Sequence, residues 1–222
     1  MQFCSLIKAA WTVFRKDLRC EFRTPLNFSI LMIFAVTVLM VVSFAVGGIA
    51  LDPTLLAALL WVMLFFTAMT GVARAYVQEE ETGTALVLRL ATDSAAIYIG
   101  KVLYSFVLLV GVAIVVVPLY LVLFSVAPAM PLALAATVVL GCLGIAVTGT
   151  TFSAIVAQVT AQGSLMTVLS FPVMLPLLWI AISTTSTAFA GSNLVALAPD
   201  LAFMFFYSGM TFVASLVLVE YL

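Results

Sequence analysis

Long apolar runs separated by short polar breaks dominate the chain. At its start the pattern has a helical period: Phe3, Ile7, Trp11, Phe14, Leu18 and Phe22 recur at spacings of three and four. Lys8, Arg15, Lys16, Arg19 and Arg23 fall mostly off that stripe, so residues 3–23 are predicted to form an amphipathic helix. An aromatic face beside a cationic one suits a helix lying in the membrane interface; a cytoplasmic helix packed on a partner is the other reading. Pro25 ends this element. Six runs follow, at about 26–49, 54–76, 102–126, 132–159, 164–182 and 201–222. Each approaches or exceeds the roughly 20 residues that carry a helix across about 30 Å of hydrocarbon. The breaks are Asp52-Pro53, a long polar segment at 77–100, a turn marked by Pro128 and Pro131, the link Thr160-Ala161-Gln162-Gly163, and a polar stretch at 183–200. The predicted fold class is an all-α membrane protein: one transmembrane domain over 1–222, with six spans, an interfacial N-terminal helix and a short helix in the 77–100 loop.

Composition agrees. Hydrophobic residues make up 66% of the 222 and charged ones 8%, where soluble domains carry about a quarter. All eight Lys and Arg lie in 8–23 or 74–101, and no charge occurs from Val102 to Pro199. A charged side chain at a helix centre costs about 2.5–3.5 kcal/mol on insertion scales. Cation-bearing loops stay in the cytoplasm. With six spans, that rule puts the N-terminus, the 77–100 loop, the 160–163 link and the C-terminus inside, and the turns near 50–54, 127–131 and 183–200 outside. The basic start runs too far, and the apolar run after it is too long, for a cleavable signal; the first span reads as an uncleaved anchor. A net charge of −1 gives no support to nucleic-acid binding.

Several chemistries lack their residues. Histidine is absent, which removes most metal sites, Ser-His-Asp catalysis and histidine ligation of haem by this chain. Cys4, Cys20 and Cys142 form no C-x-x-C pair and read as reduced thiols. Gly100-Lys101 has the end of a phosphate-binding loop, but Val102 replaces the Ser/Thr and Ala95 stands where the first glycine belongs, so no ATP site is predicted. A secondary transporter usually keeps ionisable groups in the bilayer; spans three to five have none, and Arg74, Asp200 and Glu220 sit near span ends. An intramembrane enzyme would lack H-E-x-x-H and G-x-S-x-G. No catalytic residue, metal ligand or tightly bound cofactor is expected.

The 77–100 loop carries more than a connector needs. Glu79-Glu80-Glu81 precede Thr82-Gly83-Thr84, which suits a capped helix start, and Leu86, Val87 and Leu90 supply an apolar side over about 84–91. Lying across the cytoplasmic mouth, this piece reads as a docking element; a solvated connector with a chance acidic run is the plainer alternative. In the fourth span, Gly141 and the pairs Gly144/Thr148, Ala146/Thr150 and Gly149/Ser153 offer small residues for close helix packing. Pro172 and Pro176 invite a kink in the fifth span. Residues 183–200 suit either a short re-entrant or interfacial piece on the outside or a loop.

These elements together resemble the plan of ABC-2-type exporter permeases, and within them the CcmB family, the permease subunit of the cytochrome c maturation complex. The likeness covers nearly the whole chain. It is carried by Glu80-Glu81-Thr82-Gly83-Thr84-Ala85-Leu86 with Lys101 downstream, by Gly144-Ile145-Ala146-Val147-Thr148-Gly149-Thr150-Thr151-Phe152, and by Phe171-Pro172-Val173-Met174-Leu175-Pro176-Leu177. Ala91-Thr92-Asp93-Ser94 stands where relatives often carry a proline. The resemblance implies a bacterial inner-membrane subunit that pairs, as two copies, with two copies of a separate ABC ATPase. Residues 79–91 would then be the coupling helix. It also implies a haem-handling membrane subunit with a small accessory subunit, a periplasmic haem chaperone, ATP on the partner, and haem handled by the complex. An ABC-2-type permease exporting a lipid, polysaccharide or drug is the alternative.

The cation rule makes a direct prediction. On intact cells, a membrane-impermeant thiol reagent is expected to miss single cysteines placed at 79–93 and to reach ones placed at 50–54; labelling of 79–93 from outside would invert the topology.

Overall fold

A computed structural model describes residues 2–49, 51–72, 76, 92–157, 164–191 and 194–220. Among them the chain is helical and contains seven helices: α1 (Gln2–Arg23), α2 (Leu26–Val46), α3 (Pro53–Val72), α4 (Ser94–Leu123), α5 (Pro131–Val156), α6 (Ser164–Ala190) and α7 (Leu194–Glu220). The last six are long and apolar enough to cross a membrane. The fold is therefore an all-α membrane protein of six spans.

Local chemistry sets the ends of the spans. α2 stops at Val46, three residues short of the predicted end, because Gly47 takes the left-handed conformation at φ 59° and its amide returns to Ser43 O at 3.2 Å. α3 starts on Pro53, and Asp52 caps it, its carboxylate accepting the Thr54 amide at 3.0 Å. α4 begins at Ser94, so residues 94–100 are helix and not loop as predicted. The predicted span stopped at the first charge, Lys101, which the structure neutralises inside the packing.

The second correction is at 183–200. This stretch is neither a re-entrant piece nor a loop. Residues 183–190 complete α6, the chain turns at Gly191 (φ 83°), and 194–200 open α7. Hydroxyls made the segment look loop-like, but they bond back onto their own helix: Thr184 Oγ1 donates to Ile180 O at 2.7 Å and Thr187 Oγ1 to Ser183 O at 2.8 Å. Helix α6 also carries Pro172 and Pro176, and α7 carries Pro199, within unbroken helical runs.

α5 is the centre of the bundle. In its most apolar window 67% of residues are buried, against 17% for α2 and 22% for α7, so α5 is a core helix and those two turn mostly to lipid. On α2 only Asn27, Leu31, Ala35 and Leu39 are buried, one stripe at a spacing of four, while Ile33, Val41 and Phe44 face outward. α3, α4, α6 and α7 pack around α5.

The two ends of the bundle differ in charge. At one end the turns gather: Met130 N donates to Ala188 O at 3.1 Å, and the hydroxyls of Thr54 and Ser186 lie 3.1 Å apart. At the other, α1 lies against the start of α4. The cations among the described residues, all on α1 or at Lys101, belong to this second end.

Among the described glycines, Gly141 is met most closely by a neighbour. A methyl group added there would stand 2.0 Å from the Trp61 ring, whose Nε1 donates to Thr185 Oγ1 at 2.9 Å. Gly141→Ala must therefore shift the indole that joins α3, α5 and α6. It is expected to destabilise the protein in micelles by about 1–3 kcal/mol, as overpacking generally does. Gly209→Ala meets nothing within 4 Å and is expected to be neutral in the same thermal-unfolding assay.

Candidate functional site

The foot of α4, at the cationic end, is where the described residues assemble a site. It starts with α1. Ala10, Val13 and Phe14 are buried, and Asp17 and Glu21 lie half-buried on the same side at a helical spacing. Ile7, Trp11 and Phe22, from the predicted aromatic stripe, stay exposed, while Phe14 is buried and Leu18 half-buried. The helix thus has three sectors: one packed on α4, one apolar and open, one cationic and open. Its packed sector lies on this chain's own α4.

Gly100 makes the close approach possible. A Cβ there would meet the Ala10 carbonyl oxygen at 2.8 Å and Val13 Cβ at 2.8 Å. Next to it, Lys101 is 1% exposed. Its ammonium lies 3.9 Å from Asp17 Oδ2 and 4.8 Å from the centroid of the Tyr76 ring. The other Asp17 oxygen lies 3.1 Å from Lys16 Nζ. A buried ammonium needs such company, because taking it from water costs several kcal/mol.

One turn on, Glu21 joins three helices. Its Oε1 accepts the Phe28 amide in the first turn of α2 at 2.8 Å, and its Oε2 accepts the Tyr104 hydroxyl at 2.8 Å. Asn27 Nδ2 donates to the Tyr104 oxygen at 3.3 Å. A carboxylate at a helix N-terminus also meets the positive end of the helix dipole.

These contacts give the direction of α1. Between Ala10 and Glu21 it advances about 16 Å along its own axis, while its partners Gly100 to Tyr104 advance about 6 Å along α4. α4, at 30 residues, is about 45 Å long, some 15 Å more than the hydrocarbon needs. Lys101 lies about 10 Å from its start.

The opposite side of the same foot is tied into the bundle. Tyr98, fully buried, meets Thr151 Oγ1 at 3.0 Å, and Thr151 Oγ1 meets Ser215 Oγ at 2.7 Å. Ser215 in turn donates to Thr211 O at 2.7 Å. With each hydroxyl donating once, Tyr98 gives to Thr151, Thr151 to Ser215, and the chain closes on the α7 backbone. Thr150 Oγ1 adds a bond to Ser105 Oγ at 3.2 Å. Such bonds average about 0.6 kcal/mol each in a membrane protein, so their effect is positional more than energetic.

The small residues of α5 each receive a side chain. Gly141 faces Trp61 of α3; Gly144 faces Leu177 of α6 and Ser208 of α7; Gly149 faces Met69 and Val72 of α3. Thr148 is buried, and among the described residues its hydroxyl has no hydrogen-bond partner. The predicted docking residues Glu79, Glu80, Glu81, Thr82, Gly83, Thr84, Leu86, Val87 and Leu90 lie outside the described residues. So the structure brings together Lys101, Asp17, Glu21, Tyr104 and Asn27, of which sequence reasoning had singled out Lys101 alone. A signal existed: Asp17 and Glu21 are the only acids before Asp52, four residues apart in an otherwise basic helix.

The described residues contain no group of three or more His, Cys, Asp or Glu placed to hold a metal ion. What the foot of α4 offers is connection. It is held to α1 on one side and to α5 and α7 on the other, at the point where the chain returns from residues 77–91.

A family model for the CcmB protein matches residues 8–221. The chain belongs to the CcmB family. It is thus a membrane subunit of the cytochrome c maturation ABC transporter. No curated protein matches it. The match begins at Lys8 and takes in α1, so the packed N-terminal helix is part of the CcmB-family unit.

The ion pair can be tested through its coupling. Lys101→Met removes one of the two cations at the Asp17 carboxylate, which keeps Lys16 at 3.1 Å and 15% exposure, so it is expected to cost about 1–3 kcal/mol, less than a fully broken buried pair. Adding Asp17→Asn should recover most of that loss. Unfolding in micelles checks the cycle, with trypsin cleavage after Arg19 and Arg23 reporting release of α1; additive effects of the two substitutions would mean the residues do not interact.

Proposed function

We propose that this chain receives force from a separate ABC ATPase through residues 77–91 and passes it into the membrane at the foot of α4. ATP is bound and hydrolysed on the ATPase, two copies of which serve two copies of this subunit. The work drives haem delivery or release of the haem-loaded periplasmic chaperone during cytochrome c assembly, alongside the haem-handling membrane subunit and its small accessory subunit. The protein sits in the bacterial inner membrane with both termini in the cytoplasm.

The observation that carries this reading is the double attachment at the foot of α4. The segment that would engage the ATPase re-enters the fold at Ser94, and within eleven residues of that point Tyr98, Gly100, Lys101, Tyr104 and Ser105 contact α1, α5 or α7. Any displacement of the loop's returning end must therefore move α4 together with α1 and α7. The charge distribution supports the orientation, since a loop that meets a cytoplasmic ATPase belongs on the cationic side. The triple glutamate and the apolar Leu86, Val87 and Leu90 have the makeup of a short helix with a capped, acidic start and a face for docking. With no histidine in the sequence, haem is more reasonably handled by the complex than ligated tightly here.

Copurification tests the docking role. The wild-type subunit extracted from membranes is expected to bring an ATPase with it, and Glu80→Ala/Glu81→Ala/Leu86→Ala to lose most of that ATPase while the subunit itself is recovered in normal amount. Unchanged ATPase recovery with the triple variant would refute docking through this segment.

A further inference from the structure

The outer side of α1 has no role in the packing just described, and its chemistry is uniform. Lys8, Arg15, Arg19 and Arg23 are exposed, and none forms an ion pair among the described residues. Both acids of the helix, Asp17 and Glu21, are turned inward to Lys101 and to Tyr104 and Phe28. Among the described residues the outward face therefore keeps its positive charge without internal compensation. Beside it runs the open apolar edge of Ile7, Trp11 and Phe22, at 54%, 57% and 79% exposure. The helix packs on the foot of α4 at the cationic end of the bundle, so in a membrane the edge would enter the acyl boundary and the cations would stand among headgroups.

We propose that this face binds anionic phospholipid headgroups. A zwitterionic headgroup offers a cation with each phosphate; an anionic one offers net negative charge to match four unpaired cations. Three of the four are arginines, whose planar guanidinium can grip a phosphate with two parallel bonds. An acidic protein surface would satisfy the charges but would leave the Ile7–Trp11–Phe22 edge, which runs alongside, without its apolar medium. Lipid satisfies both. The bound lipids would hold α1 in place from outside as Asp17 and Glu21 hold it from within, and the inference does not require the ATPase docking proposed above.

The test uses the full chain in nanodiscs of phosphatidylcholine and phosphatidylglycerol, with spin-labelled analogues of each lipid reporting the motionally restricted fraction. The wild-type protein is expected to prefer phosphatidylglycerol, and added salt to erode that preference. At low salt the preference should fall about fivefold for each cation removed, read in Arg19→Gln/Arg23→Gln. Arg19→Lys/Arg23→Lys should largely keep it. Removing cations can also invert a membrane protein, so labelling of Cys20 from one side of sealed vesicles checks that the Gln variant keeps its orientation. The salt titration of the wild-type chain needs no variant at all. Equal association of the two lipids with the wild type, a preference indifferent to salt, or the same preference in the correctly oriented Gln variant would overturn the proposal. So would a Gln variant that keeps its lipid preference but loses the ATPase, since the face would then be a protein contact.

Discussion

Charge in hydrocarbon is the constraint from which the rest follows. Each ionised side chain at a span centre costs a few kcal/mol, and each unpaired backbone group a comparable amount, so the chain can cross repeatedly only as uncharged helices. The price is that every charged feature collects at the ends. Four of the described cations stay on the open side of α1. Lys101 lies inside the packing, and it is tolerated because α1 brings Asp17 to it and Tyr76 covers it with a ring. The N-terminal helix is thus more than an appendage at the interface: it supplies the countercharge that lets α4 begin before its lysine.

Within the bundle, hydrophobicity cannot decide which helices touch, because lipid tails are as apolar as leucine. Shape decides. α5 has glycine at 141, 144 and 149, and into those positions come Trp61, Leu177 and the pair Met69 and Val72. Hydroxyls then choose orientation, as in the run from Tyr98 through Thr151 to Ser215. The outer helices need neither device on their lipid side, and α2 shows it: one buried stripe at a spacing of four, and bulky apolar residues elsewhere.

The same physics explains what could be read from the sequence. The six spans were legible because apolar length and the absence of charge are direct requirements of the bilayer. The boundaries at 94–100 and 183–200 were not. In the first, a lysine looked like an end because its partner, Asp17, is far away in sequence. In the second, serines and threonines looked like a loop because their hydroxyls usually compete with helical bonds; here Thr184 and Thr187 bond to the preceding turn, and Thr185 accepts from Trp61. Of the site, Lys101 was visible as an isolated cation. Asp17 and Glu21 were hidden by the cations around them, since a basic helix invites attention to its positive face. Tyr104 and Asn27 carry no local signal at all; only the fold brings them to Glu21.

What the arrangement implies for movement follows from stiffness. A helix transmits a push along its axis better than a loop does, and α4, at 30 residues, is about 45 Å long. Its first turns are where α1 packs on it. A force delivered before Ser94 meets α4 in the segment where Gly100 admits the α1 backbone, Lys101 holds Asp17 and Tyr98 reaches α7 through Thr151. Tilting α4 there would have to carry α1 along the membrane surface or break the contacts at Gly100 and Lys101. The first is the cheaper course, because sliding an amphipathic helix in an interface would keep its apolar edge out of water, whereas the second takes the Asp17 carboxylate from a buried ammonium. On the ATPase coupling proposed above, a push before Ser94 would therefore move α1 and α4 together, with α7 linked to them through Thr151 and Ser215.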